Sequence, residues 1–294
     1  MASNDYNMKR IAFVTYQKNP DLTEDDALAL PQLHKLGFQA VPAVWDDPAL
    51  RWEKFDAIIL RSCWDYHHNP KVFSRWIDLR AATGSKLWNP ARIVRWNMDK
   101  IYLHDLAMRG VATPRTVWLE AGENISLSFI LKKNHLARAV VKPSISATAF
   151  MTFQTSPAHA EADQAKLETI LKSSGALVQE FMPEITTHGE WSLLFFSGQY
   201  SHAVLKQPQS GDFRVQTDFG GSAHAALPPP QFLAKAQALL RMVDQPLLYA
   251  RVDGVERDGQ FILMELELIE PALFLCAETA APARFAEAIA EVVQ

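Results

Sequence analysis

Residues Phe261–Pro271, FILMELELIEP, set Glu265 and Glu267 two apart inside an otherwise apolar run. Acids in a segment that must be buried restrict a fold more than any apolar pattern does. On a β-strand, residues two apart share a face. Glu265 and Glu267 are therefore expected side by side with Leu263, while Ile262, Met264, Leu266 and Leu268 face the other way. The preceding run, LLYARVDGV, carries Arg251 and Asp253, and Asp258-Gly259 between the two runs is hairpin-turn chemistry. Asp253 can then complete a carboxylate cluster. Crowded carboxylates repel unless cations sit among them, and hard, oxygen-preferring Mg²⁺, arriving with phosphates, suits such a face. The plain alternative is a solvated polar face; the apolar surroundings and Arg251 weigh against it.

The first third of the chain reads as an α/β unit. RIAFVTY (10–16), Gln39–Trp45 and Phe55–Leu60 are apolar runs of strand length. Between the first two, Asp21–Phe38 has acidic residues early and His34, Lys35 and Gly37 late, the chemistry of a helix start and stop, with Pro31 expected to kink or break it. Continuous apolar strands alternating with helices indicate a parallel sheet covered on both faces. The third strand ends in Arg61-Ser62-Cys63-Trp64-Asp65-Tyr66. The carboxyl end of such a strand is where open α/β sheets bind ligands. Arg61 can clamp a carboxylate there and Asp65 can hold an ammonium, with Trp64 and Tyr66 beside them; equally, the loop can merely cap the core.

Further on, a helix is expected from Asn97 to Arg109, closed by Gly110, with a domain boundary near 95. Strands follow at 138–143 (RAVVKP) and 176–181 (ALVQEF), then a loop at 182–189 and a hairpin of Trp191–Phe196 with Gln199–Leu205. Helices are expected at 167–172, 231–244 and 282–293. The net charge of −4 gives no basic footprint for nucleic acid. Two cysteines exclude a disulfide scaffold and suit a cytoplasmic setting; Cys63 reads as a small apolar residue. No apolar run reaches membrane-spanning length, and no signal peptide is evident. The nine histidines show no zinc-protease spacing.

In chain order, Lys100, VVKP with Lys142, LVQEF with Glu180, HGE with Glu190, ARVD with Arg251 and Asp253, and MELEL with Glu265 and Glu267 resemble the ATP-grasp superfamily, especially bacterial glutathione synthetases and D-alanine–D-alanine ligases. The resemblance covers about residues 95–275. It implies an ATP-grasp fold behind an N-terminal parallel-sheet domain, divided 1–95, 96–182 (the lid subdomain) and 183–294. It also implies that Lys100 and Lys142 reach the ATP phosphates, with Ser146 in the loop above them. Glu180, with the Phe181 and Met182 backbone, reads the adenine, and Glu190 takes the ribose. Lys206, Arg214 and Arg251 act on the phosphate and the reacting acyl group. Asp253, Glu265 and Glu267 hold Mg²⁺, two ions, with Mn²⁺ as a substitute. Such enzymes activate a carboxylate as an acylphosphate, which an amine then attacks.

Two departures stand out. The stretch Pro143–Ala149, PSISATA, lacks the glycines of the family's phosphate-covering loop, and Glu267 stands where the named relatives often have Asn. The combination of RSCWDY, the Ser/Ala loop and ELELIEP resembles the cyclo-ligases of cycloserine biosynthesis. This implies a small amino-acid-like substrate closed into a ring, held by Arg61, Trp64, Asp65, Tyr66 and Glu270, in a protein that can form homodimers. Joining two separate amino acids, or regulatory nucleotide binding without turnover, are the competing readings.

Overall fold

The structure, a computed structural model, describes residues 8–84, 86–209, 211–215 and 220–293. The N-terminal unit comprises β1 (Lys9–Thr15), α1 (Glu24–Ala27), α2 (Leu30–Lys35), β2 (Phe38–Val44), β3 (Ala57–Leu60), α3 (Pro70–Ala82) and β4 (Lys86–Trp88). Its strands run parallel in the order β2-β1-β3-β4. The 21–38 helix is two helices. Thr23 caps the first by accepting from the Asp26 N–H, and Pro31 lies in the first turn of the second. A proline there loses no helical hydrogen bond, so it opens a helix and does not bend one.

The middle of the chain forms α4 (Ala91–Met98), α5 (Tyr102–Met108), β5 (Thr116–Leu119), α6 (Leu127–Lys133), β6 (Ala139–Pro143), β7 (Phe153–Thr155), α7 (Ala160–Leu171) and β8 (Ala176–Glu180). The expected helix from 97 is in fact two, α4 and α5, with extended Asp99 between them, so residue 95 falls within α4. The strands pair antiparallel in the order β5-β8-β6-β7. Helices α6 and α7 bury Leu127, Ile130, Leu167 and Ile170 against Val141 and Val178 of the sheet.

The last unit contains α8 (Glu184–Thr187), β9 (Glu190–Phe196), β10 (Gln199–Gln207), β11 (Ser222–Ala225), α9 (Pro230–Leu240), β12 (Tyr249–Arg257), β13 (Gln260–Glu267) and α10 (Ala281–Val293). Its antiparallel sheet is ordered β11-β10-β9-β12-β13. The β12–β13 turn places Asp258 at φ 53° and Gly259 at φ 72°, the two positive φ values of a type I′ turn. Helix α10 returns to the first unit, where Phe285 and Ile289 share a core with Ile11, Phe13 and Leu33. Among the described residues no helix is long and apolar enough to cross a membrane.

The alternation expected along β13 breaks at one point. Asp253 faces Glu265 but Gly254 faces Leu263, leaving Met264 as the extra residue of a β-bulge. Beyond it the facing reverses. Phe261, Leu263, Leu266 and Leu268 all enter the core beneath α9. Ile262 and Met264 pack on the opposite side, against Met182, Ile185 and Val215. Leu263 is therefore not on the acid face, and Met264 is. The bulge sets an apolar side chain directly beside Glu265.

Buried polar side chains tie these units together. Asn89 Nδ2 donates to Tyr249 O (2.9 Å) and Leu268 O (2.7 Å), and its Oδ1 accepts from Leu248 N (2.8 Å). Asn97 brackets β13 likewise, donating to Leu266 O and accepting from Leu268 N, both 2.8 Å. The Tyr102 hydroxyl accepts from Leu266 N at 3.0 Å. Leaving such buried groups unpaired costs about 1–3 kcal/mol each. We expect Asn97→Leu to lower stability by about 2–4 kcal/mol, since it orphans Leu266 O and Leu268 N at the end of β13. Gly254→Ala should cost about 1–3 kcal/mol, because a Cβ there would sit 2.7 Å from Ile262 O and run into the Phe261 ring. Thermal unfolding checks both; an unchanged midpoint in Gly254→Ala would mean that the bulge needs no glycine.

Candidate active site

A cleft of about 310 Å³ lies between the β6–β8 sheet and the face of β9, β10, β12 and β13 that carries the acids. Strand register explains its charge pattern. Lys206 lies opposite Glu190, Ser192 opposite Asp253, and Asp253 and Arg251 opposite Glu265 and Glu267. Lys206 Nζ reaches Glu190 Oε1 at 2.6 Å and Asp253 Oδ2 at 3.0 Å. Ser192 Oγ donates to Asp253 Oδ1 at 2.7 Å. Arg251 donates to both Asp253 oxygens (Nε–Oδ1 3.0 Å, Nη2–Oδ2 2.9 Å) and also holds Glu267. Lys100 Nζ pairs with Glu265 Oε1 at 2.8 Å and donates to Ser146 O at 2.9 Å.

These neighbours set the protonation of each acid. Burial alone would raise Asp253, but Arg251 and Lys206 outweigh it and hold the carboxyl down at about 2. Burial is likewise overcome at Glu265 by Lys100 and Lys142, which lower it. At Glu267 burial wins over Arg251, helped by Glu265 and Asp253, and the carboxyl rises to about 7. Burial lowers the Lys142 ammonium. Lys142 lines the cleft on β6 and makes no hydrogen bond or ion pair among the described residues.

The cleft brings together most of the residues singled out from sequence. Lys100, Lys142, Ser146, Glu180, Met182, Glu190, Lys206, Arg214, Arg251, Asp253, Glu265, Glu267, Trp64, Tyr66 and Glu270 all line it. Glu180 is held by Arg115 (3.0 Å) and lies near Arg257 (3.5 Å); the Arg115 hydrogen bond lowers its pKa. Arg214 folds onto Asp212 at 2.7 Å. Near it in the chain, residues 210 and 216–219 lie outside the described residues.

Three residues fall elsewhere. Phe181 lies behind the wall: its N–H donates to Arg138 O at 3.1 Å, and the Arg138 guanidinium covers its ring at 3.8 Å. Asp65 turns from the cleft to accept the Trp45 indole N–H at 2.9 Å. Arg61 is fully buried and paired with Asp26 at 2.9 Å, stacked on Tyr249 and Phe285. It clamps no ligand carboxylate, because its guanidinium is spent inside the core.

Arg61 has a different task. Its Nη2 donates to Pro271 O at 2.7 Å. Trp64 Nε1 donates to Glu270 O at 3.0 Å, Arg251 Nη1 to Ala272 O at 3.1 Å, and His202 Nε2 to Leu273 O (2.9 Å) and Phe274 O (3.0 Å). Every carbonyl from 270 to 274 is thus held by a side chain from another segment. Opposite this strand exit, the glycine-free loop runs along the cleft through Ser146, Ala147, Thr148 and Ala149. It turns by placing Thr148, Ala149 and Met151 at φ values of 50°, 55° and 51°, left-handed conformations that cost such residues energy. Phe150 anchors it against His67 and His68, at 5.0 and 5.2 Å.

Sequence reasoning missed Ser192, although the polar alternation Glu190-x-Ser192 in an apolar strand was visible. It also missed Met264, which the bulge alone exposes, and Arg115 and Arg257, which converge on Glu180 from distant segments without a local signal. Among the described residues no three acids, histidines or cysteines converge on one point as metal ligands. Asp253, Glu265 and Glu267 each face a lysine or arginine instead. Their oxygen donors nonetheless match a hard divalent cation.

Burial, with the charge on Glu267 adding to it, raises Glu270 to about 8. A carboxyl raised on folding stabilises the fold at low pH and loses that contribution as pH climbs through its folded value. We expect wild type and Glu270→Gln to unfold alike near pH 5. Near pH 9 the variant should be about 1–3 kcal/mol the more stable. Chemical unfolding across pH checks this; a constant difference would contradict the burial of the charge.

A family model described as "D-cycloserine synthetase DcsG, N-terminal domain" matches residues 11–89. The cycloserine biosynthesis protein DcsG of Streptomyces lavendulae is 30% identical over 296 residues, covering 96% of this chain and 98% of that protein. The crystal structure of D-cycloserine synthetase DcsG superposes with a TM-score of 0.87 at 29% identity, over 97% of this chain and 100% of the other. D-Alanine–D-alanine ligase from Bacillus anthracis, complexed with ATP, superposes with a TM-score of 0.69 at 17% identity over 97% of both chains, a likeness of fold. A match that runs the length of both chains on one shared three-sheet architecture makes this chain a member of the DcsG family of ATP-grasp ligases, enzymes that form carbon–nitrogen bonds.

Proposed function

We propose that the protein uses ATP and Mg²⁺ to ligate a carboxylate to an amine within one small amino-acid-like substrate, closing a ring. The substrate carboxylate takes the γ-phosphoryl group and ADP leaves. The amine then attacks the acyl carbon, phosphate departs, and the nitrogen loses a proton. The observation that carries this reading is Lys142, a cleft ammonium with no ion pair, beside acids that each already have a cation. A triphosphate supplies the anion that this arrangement lacks. The end-to-end likeness to a cycloserine biosynthesis protein supports ring closure.

In this reading Lys100 and Lys142 bind the phosphates. Apolar Val140, Met182, Ile185 and Met264 flank the adenine, with Glu180 and the Met182 backbone at its edge. Glu190 takes the ribose. Asp253, Glu265 and Glu267 hold the metal, two ions, with Mn²⁺ able to replace Mg²⁺. When bound, the metal neutralises charge on the transferring phosphoryl oxygens. Arg251, released from its acids, steadies the acyl oxygen, and Lys206 and Arg214 face the phosphate. Positioned positive charge is the main catalytic contribution such a site makes.

The test is ADP release with Mg·ATP across amino-acid-like compounds, supplied singly and in pairs. Ring closure predicts release with one compound alone; release only with pairs would mean that two molecules are joined. Glu265→Gln and Glu267→Gln should each cut turnover by about 100-fold or more, and turnover that survives both would remove the metal assignment. Lys142→Ala should weaken nucleotide binding by about 10- to 100-fold in calorimetry, the worth of a charge-assisted phosphate contact.

A further inference from the structure

The cleft contains one acid that forms no ion pair among the described residues. Glu270 lines the cleft; its carboxylate accepts from its own backbone N–H and forms no ion pair among the described residues. Asp253, Glu265, Glu267 and Glu190 are all paired. Trp64, Tyr66 and Phe274 line the same cleft. Glu270 adds its charge to burial in raising the Tyr66 hydroxyl. Its backbone is fixed, because the Trp64 indole holds its carbonyl and the next four carbonyls are held in turn.

A carboxyl group without a cationic ion-pair partner, on an immobile loop beside the Trp64 indole, is complementary to one class of group, a compact cation. Ring faces attract an ammonium, and an acid within reach adds a charge-assisted hydrogen bond. Fixing the loop beforehand avoids the ordering cost that a flexible acceptor would incur on binding. An anionic group would add a like charge beside Glu270, Glu267 and Glu265, which selects against it. Asp65, the acid expected from sequence to hold an ammonium, is bound to Trp45 instead.

We propose that Glu270, framed by Trp64 and Tyr66, is the receptor for a free ammonium on the substrate and makes the protein selective for amine-bearing over N-acylated or amine-lacking compounds. This rests on the ligase reading for the identity of the ligand, but not for its measurement. The probes are D- and L-alanine, D- and L-serine and D-cycloserine, each with its N-acetyl form, and propionate. They are titrated by calorimetry into the protein held in Mg·ADP. The expected result is binding of at least one amine-bearing probe and a loss of about 10-fold or more on N-acetylation. Glu270→Gln should weaken the same probe by about 10- to 100-fold while Mg·ADP affinity is kept. Glu270→Asp should recover part of the loss. Equal binding of acetylated and free forms, unchanged binding in Glu270→Gln, or no binding by any probe would each overturn the proposal. The ligase reading is judged separately, by ADP release across the compound panel above, so its failure there would leave a measured ammonium receptor in place.

Discussion

Everything in the cleft depends on how four acids are kept on one buried sheet face. Glu190, Asp253, Glu265 and Glu267 lie on adjacent strands, close enough to repel. An uncompensated charge in such a place costs several kcal/mol. The register solves this by interleaving cations: Lys206 from the strand beside Glu190, Arg251 two residues from Asp253, and Lys100 from the segment between α4 and α5. The compensation is graded. Asp253 has three donors and stays ionised, whereas Glu267 has one and shares its surroundings with other acids. The same grading leaves one end of the face readier to exchange its counter-charge than the other.

That face is useful only if the N-terminal unit is held against it. The holding groups are polar, not apolar. Asn89 and Asn97 complete the backbone pairing of β12 and β13 where those strands run out of neighbours. The Tyr249 hydroxyl lies 2.8 Å from both Leu60 O and Ile269 O, linking the ends of β3 and β13. Fully satisfied buried networks of this sort fix relative position more sharply than apolar contact, which tolerates sliding. The apolar part, α10 packed with β1 and α2, supplies the area.

Much of this was legible in the residues. The parallel first sheet followed from continuous apolar runs. The hairpin followed from Asp258-Gly259, and the adjacency of Asp253, Glu265 and Glu267 from a period of two. What sequence concealed has physical causes. A bulge adds one residue without any composition signal, so the facing of Ile262, Leu263 and Met264 could not be read from alternation. Short elements such as β5, α6 and β7 carry too few residues to show a period. Arg61 looked like a ligand clamp because an arginine ends an apolar strand at the sheet's binding edge. Its partner Asp26 lies 35 residues away on another element, and only the fold brings them together. Asp65 was misread for the same reason.

The strapped segment from 270 to 274 has a consequence for how the cleft can accommodate a guest. With five successive carbonyls fixed by Trp64, Arg61, Arg251 and His202, that wall has no backbone freedom to give. The facing loop is different in kind. It keeps its path through left-handed, non-glycine residues, the Lys100 hydrogen bond to Ser146 O and an aromatic anchor at Phe150. Adaptation is therefore one-sided: one bank of the cleft acts as a fixed gauge of ligand shape, and all adjustment falls to the other. Changes in preference among ligands should then come from side-chain replacement on the rigid bank, and changes in the rate of opening from replacement on the strained one.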